Sequence, residues 1–351
     1  MTGQLMILMT NPPNSTSSPC TLVSGARATG SLHLGHLLGV LSNWTELQTR
    51  PDYRCFFFIA DWHALTTAYG DTGSLRADVL SVATDFLAAG VDPERATVFV
   101  QSAVPEIAEL HLLLSMFTPN NWAERDPTLK DLVRSAENRQ PNRAELTYGM
   151  LGYPILQTAD ILAFRGSVVP VGRDQAAHLE LSRDISRRFN QVAGIEFFPE
   201  PKPVFAEQAA LPGIDGRKMS KSLGNDLKLA ADPTETTKLI KKMITDPERQ
   251  RRDQAGATDR CQVPWPFWQI FAASAAEQAA VKSECESAQR GCVDCKLALA
   301  ERVNEQLATL RERRQALTSE TVQQILAAGA LKARTEAHQT LAAVKELLKL
   351  P

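Results

Sequence analysis

Two short segments carry residue types suited to polyphosphate chemistry. The first, SGARATGSLHLGH, runs from Ser24 to His36 and sets Gly25 and Gly30 ahead of His33 and His36. Glycines permit tight turns and close approach of backbone to a ligand. Histidines three residues apart at a helix start can point the same way. Free N–H groups and the macrodipole at that terminus favour phosphate. Gly35 between them leaves room for a flat group such as adenine. The second segment, Lys218-Met219-Ser220-Lys221-Ser222, follows LPGIDGR, a loop with two glycines. Its lysines and serines can gather around phosphate charge. Taken singly, the first is also a Gly-rich turn with two surface histidines, and the second a solvated basic loop. An H-x-G-H element followed far downstream by KMSKS is much more specific than either.

Two further groups stand out. Helical spacing in YPILQTADIL places Tyr153, Gln157 and Asp160 on one face. A carboxylate among Ile155, Leu156, Ile161 and Leu162 is costly unless partnered, and a ligand N–H or O–H is one such partner. An Asp on an exposed turn is the plainer alternative. Cys261, Cys285, Cys292 and Cys295 follow the spacing C-x23-C-x6-C-x2-C. Four thiolates suit zinc or an iron–sulfur cluster. Four separate thiols are the alternative, because free cysteine packs as a small hydrophobe.

These groups need elements to position them. Thr21–Ser24 is a short apolar run ending at Gly25, and Leu34–Leu47 has helical spacing. Arg54–Ala60 is a continuous apolar run, as expected of a strand buried on both faces. A helix capped by Ser74 follows, then strands at Thr97–Gln101 and Val168–Val171 and a helix through Phe189. This alternation predicts an α/β, Rossmann-like, doubly wound parallel sheet. After about residue 230 only helical periodicity remains, in Thr234–Ile244, Ala276–Cys285, Val293–Leu317 and Glu320–Leu348, which predicts a helical second domain. The expected division is a mobile polar extension over 1–19, a catalytic domain over 20–230 and a helical domain over 231–351. A chain of 351 residues suffices for both. No apolar run approaches a membrane span, and the start lacks a signal peptide, so a cytoplasmic protein with no membrane partner is expected. A net charge of −2 excludes a nucleic-acid packaging protein but not a local basic face. Lys238, Lys241, Lys242, Arg249, Arg251 and Arg252 form one basic group, and Arg302, Arg311, Arg313 and Arg314 a second. Both are candidate phosphate contacts or ordinary solvated helix faces.

The paired motifs resemble those of the class I aminoacyl-tRNA synthetases, with His33-Leu34-Gly35-His36 as the HIGH-like element and KMSKS intact. The resemblance implies a Rossmann domain that forms an aminoacyl-adenylate from ATP, the substrate carboxylate being the nucleophile. Catalysis then rests on positioning and charge neutralisation. Thr29, His33 and His36 would hold phosphates. Lys218 and Lys221 would stabilise departing pyrophosphate, with Mg²⁺ sharing its charge.

YP-x-L-x-x-ADIL, VPVG-x-DQ, the HLELSRDISRRFN stretch and ADWHALT are similar to bacterial tryptophanyl-tRNA synthetases, and the likeness runs from Thr21 to about Leu348. It implies that Asp160 accepts an indole N–H, that His63, Tyr153 and Gln157 border the pocket, and that Gln175 orients the amino acid. ATP contacts would come from Arg27, Ala28, Thr29, Gly35, His36, Gly172, Arg173, Asp174 and Leu211, with Lys218, Met219, Ser220, Lys221 and Ser222. It implies tRNA(Trp) as partner, anticodon recognition by the helical domain, and a homodimer. A subset of that family carries nearly this cysteine spacing, ending in GCVDCK, and holds a [4Fe–4S] cluster, with zinc the alternative. Three positions depart from the pattern: Ala28 replaces Pro, Gln157 replaces Met, and Arg173 replaces Glu. The competing readings are a tyrosyl enzyme, a nucleotidyltransferase that ignores tRNA, and a non-catalytic paralogue that binds tRNA or a partner.

Overall fold

The computed structural model describes residues 19–124, 147–172, 176–205 and 211–351. Five parallel strands form one sheet in the order β3-β2-β1-β4-β5: β1 Cys20–Arg27, β2 Tyr53–Ala60, β3 Ala96–Val100, β4 Val168–Val171 and β5 Lys202–Phe205. The chain starts in the middle, winds outward through β2 and β3, and then crosses back to β4. The carboxyl ends of β1 and β4 therefore flank the switch point where such sheets bind ligands. This is the Rossmann-like arrangement the alternation predicts.

The helices that carry or support the site are few. Helix α1 is assembled from Leu34–His36, a π-helical stretch Leu37–Leu41 and Ser42–Leu47. Then come α2 (Asp61–Ala68), α3 (Leu75–Ala88), α4 (Pro105–Ser115), α5 (Tyr148–Leu162) and α6 (Ala176–Ala193). The helical region has α7 (Pro233–Lys241), α8 (Pro264–Phe271), α9 (Ala275–Glu286), α10 (Cys292–Ala316) and α11 (Ser319–Leu347). Among the described residues, no helix is long and apolar enough to cross a membrane.

The observed β1 runs three residues past the predicted apolar run. Gly25 lies inside the strand, paired with Phe58, and a Cβ there would sit 2.6 Å from the Phe58 ring. Glycine in a strand interior marks such a close approach. Helix α8 and strand β5 have no counterpart in the predicted elements. Both are short, and proline stands in each.

Both faces of the sheet are covered, and the C-terminal helices contribute to each. On one face Leu22, Trp44, Phe57 and Phe86 pack in a continuous cluster with Phe267, Trp268, Leu299 and Leu307. On the other, Phe56, Phe99, Phe164 and Phe189 join Ala333, Ala337 and Leu341. Helix α11 meets β3 so closely that a Cβ at Gly329 would collide with the Val98 carbonyl oxygen.

Candidate active site

A cavity of about 550 Å³ opens at the switch point. It is lined by β1 from Val23 to Arg27 and by β4 from Val169 to Val171, followed by Gly172. Of the sequence-predicted residues, Arg27, Thr29, His36, His63, Tyr153, Gln157, Asp160 and Gly172 line it. Ala28, Leu211 and Met219 are buried and stand outside the lining. Arg173, Asp174 and Gln175 lie outside the described residues, as does the Ser222 side chain.

The two phosphate-type motifs are joined by backbone. Leu34 N–H donates to Leu227 O at 2.9 Å, and Leu229 N–H donates to Leu32 O at 2.8 Å, so the segment after KMSKS is stitched to the histidine loop. Lys221 Nζ then reaches back to Gly30 O at 2.6 Å and to Thr29 Oγ1 at 3.5 Å. Gly30 adopts φ +86°, the left-handed region that favours glycine. Lys218 is exposed on the same loop, where Asn225 holds the turn: its side chain accepts from Ser220 N–H at 2.8 Å and donates to Lys218 O at 3.2 Å.

The His33 and His36 rings do face one another, with centroids 3.9 Å apart. His36 Nδ1 accepts from the His33 backbone N–H at 3.4 Å. Burial pushes His33 down to about 4 and His36 to about 3, and the nearby Lys221 charge adds to both. Both rings are therefore neutral at physiological pH. The space over Gly35 differs from expectation. A Cβ there would sit 2.9 Å from His33 Cε1, so Gly35 makes room for the His33 ring. Burial also lowers Lys221, to about 8, against the raising effect of Asp85, Asp226 and Asp78.

The polar inner end of the cavity is built on α5. Its spacing does turn Tyr153, Gln157 and Asp160 to one side. Asp160 is almost wholly buried, and its Oδ2 lies 2.9 Å from His63 Nε2. Its Oδ1 accepts from Gln101 Nε2 at 2.7 Å. Burial pushes the Asp160 carboxyl pKa up, and the hydrogen bonds from His63 and Gln101 oppose that rise. Tyr153 Oη lies 2.8 Å from His178 Nε2. Sequence reasoning missed Gln101 and His178 as site residues. His178 had a signal, since it opens the HLELSRDISRRFN stretch, whereas Gln101 had none beyond ending a predicted strand.

The four cysteines lie at or near helix ends: Cys261 in a loop, Cys285 at the end of α9, and Cys292 and Cys295 in the first turn of α10. Burial pushes the Cys261 thiol up to about 12 and Cys295 to about 11, and the neighbouring cysteines add to both. Trp268 Nε1–H donates to Cys295 Sγ at 3.2 Å, and Arg249 Nη1 approaches Cys285 Sγ at 3.7 Å. Thiolate charge would therefore meet a hydrogen-bond donor at one sulfur and a guanidinium at another. Among the described residues, no three His, Cys, Asp or Glu side chains are gathered as a single metal ion requires.

The second basic group is largely committed to internal partners. Arg311 reaches Ala231 O, Asn304 and Thr236, Arg314 reaches Asp85 and Ser81, and Arg302 pairs with Glu277 and Glu305. These residues act first as struts within the fold.

Residues 15–308 match the family model described as tRNA synthetases class I (W and Y), so the chain belongs to the class I tRNA synthetases of the tryptophan and tyrosine group. Within that group the similarity is to proteins named tryptophan–tRNA ligase. The one from Thermotoga maritima is 42% identical over 94% of this chain and 99% of its own length. The one from Aquifex aeolicus is 37% identical over 94% of this chain and 100% of its own. A crystal structure of tryptophanyl-tRNA synthetase from Campylobacter jejuni, complexed with ADP and tryptophan, superposes with a TM-score of 0.83 at 30% identity, covering 94% of this chain and 100% of that one.

Proposed function

We infer that the chain is a tryptophan–tRNA ligase. It joins tryptophan and ATP into tryptophanyl-adenylate with release of pyrophosphate, and then transfers the tryptophanyl group to the 3′ end of tRNA(Trp) with release of AMP. The observation that carries this reading is the buried Asp160 carboxylate at the inner end of a switch-point cavity, in a chain of this family. A buried acceptor selects a ring that brings an N–H. A ligand without one leaves the carboxylate unpaired, and sites of this type discriminate by roughly 10⁴–10⁵.

The positions of the groups support the following residue roles. The tryptophan carboxylate attacks the α-phosphorus, and the bond to the pyrophosphate oxygen breaks. Thr29 and neutral His33 and His36 hold phosphate oxygens. Lys221, already folded against Gly30, is close enough to meet the leaving pyrophosphate, and Lys218 approaches from the same loop. Arg27 and Gly172 border the nucleotide, while Ala28, Leu211 and Met219 support it from behind. Mg²⁺ would enter with the triphosphate and supply charge neutralisation. Of the carboxylates near Lys221, Asp226 has a buried Oδ2 with no hydrogen-bond partner among the described residues. Residues Arg173, Asp174 and Gln175 complete the nucleotide and amino-acid contacts in this reading.

The same reading makes 20–230 the catalytic unit and 231–351 the anticodon-recognition unit of a cytoplasmic homodimer. We also propose a [4Fe–4S] cluster on Cys261, Cys285, Cys292 and Cys295. What supports this is that the thiols feel one another's charge, and a cluster takes one thiolate on each iron, a wider spread than one zinc ion accepts. The cluster would supply cross-linking of the loop to α9 and α10 rather than adenylation chemistry.

ATP–pyrophosphate exchange across a panel of amino acids tests the main reading. Exchange should depend on tryptophan, with little from tyrosine or phenylalanine. Faster exchange with tyrosine would overturn it.

A further inference from the structure

We propose that Gln101 is a positioning residue that sets the hydrogen-bond polarity of the amino-acid pocket, holding Asp160 as an acceptor so that the ligand ring must donate. The inference rests on the reading of Asp160 given above and extends it to a residue outside the cavity lining.

Gln101 is fully buried at the turn that follows β3. Its Oε1 accepts from the backbone N–H of Trp62 at 3.1 Å and of His63 at 3.4 Å. Those amides belong to the first turn of α2, where no carbonyl of the helix itself can satisfy them. Its Nε2 donates to Asp160 Oδ1. The amide has only one sensible orientation. Flipped, its NH₂ would face two N–H donors and its oxygen would face a carboxylate. A second brace fixes the same corner, since Asp61 Oδ1 accepts from Ser102 N–H at 3.0 Å and from Trp62 N–H at 3.0 Å.

The consequence is directional. One amide ties the end of β3, the start of α2 with His63, and the carboxylate on α5. With its NH₂ committed as donor, Gln101 favours the ionised carboxylate, against the effect of burial. Asp160, which lines the cavity, then serves as the acceptor for the ligand ring.

The test compares tryptophan with its sulfur isostere, β-(3-benzothienyl)alanine, in which the ring N–H is replaced by sulfur. Pyrophosphate exchange is measured for Gln101→Met, Gln101→Glu and Asp160→Ala. In Gln101→Met, kcat/KM for tryptophan should fall about 10- to 100-fold, with KM for ATP and the isostere rate little changed, so that the preference for tryptophan narrows. Gln101→Glu keeps the acceptor for the two amides and sets a second carboxyl beside Asp160. The like charge makes Asp160 take up a proton more readily, beside His63 and His111, which also face it, so tryptophan preference should be lost as pH falls and recover as pH rises. Equal losses for both amino acids in Gln101→Met would mark Gln101 as merely structural. If that variant does not fold, a preference in Gln101→Glu that is flat with pH rejects the inference. Asp160→Ala separates the two ideas. If it leaves the preference intact, the reading of Asp160 fails. If it abolishes the preference while the Gln101 variants retain it, only the role of Gln101 fails.

Discussion

Arg314 in the last turn of α10 and Asp85 on α3 are joined by a charged hydrogen bond of 2.7 Å from Nε to Oδ1. The other oxygen of Asp85 accepts from Leu32 N–H at 2.7 Å and from Ser31 Oγ at 2.9 Å, in the loop just before His33. The helical region is thus one buried carboxylate away from the phosphate-binding turn. Arg314→Met leaves that carboxylate without its cation. It should cost about 3 kcal/mol of stability and slow pyrophosphate exchange several-fold through a loosened loop. Urea unfolding and exchange rates read both effects. Wild-type values in each would show that the two backbone and hydroxyl donors suffice.

Lys221→Ala should reduce the rate of adenylate formation far more than it weakens tryptophan binding. A lysine that meets the departing pyrophosphate acts mainly in the transition state, so its loss falls on the chemical step. Single-turnover kinetics beside tryptophan titration separates the two. Equal losses in rate and affinity would assign the loop to folding or to substrate binding.

The pH dependence of exchange should break near pH 8. Burial depresses Lys221 to about 8, so its charge is present below that pH and lost as pH rises through it. Lys221→Arg keeps a guanidinium charged throughout and should remove the basic limb, even if the rate is lower. His33 and His36, held near 4 and 3, stay neutral above pH 5 and should give no acidic limb near 6.5. A basic limb that persists in the arginine variant would belong to another group.

Protein purified without oxygen should be brown and contain iron and sulfide. Cys292→Ser should remove both while sparing much of the exchange activity, because the cysteines stand apart from the switch-point cavity. Zinc at one ion per chain, or no metal, would reject the cluster.

Much of this was visible before the structure, and the reasons differ by residue. Val168–Val171 is legible as a strand because its apolar run is local, and Tyr153, Gln157 and Asp160 share a face because helical spacing is local too. The meeting of His33 with the segment after KMSKS was supplied by motif pairing, since no periodicity encodes the Leu34–Leu227 hydrogen bond. Gln101 was invisible because its partners lie 39 and 59 positions away. Arg311 and Arg314 read as surface charge for the same reason: a basic residue on a helix discloses nothing about distant acceptors. Gly25 read as a turn because the Phe58 ring that demands it belongs to the neighbouring strand.

The contact between Gly329 and Val98 bears on how the chain is made. β3 is an edge of the sheet, and an uncovered edge invites pairing with other chains. Its cover is α11, which is synthesised after every strand of the sheet. During translation the sheet is complete in sequence at Phe205, yet this edge stays bare until Ser319–Leu347 has emerged. A nascent or C-terminally shortened chain therefore presents an adhesive strand that the finished protein does not, and truncation just before Ser319 should yield aggregates rather than a smaller enzyme.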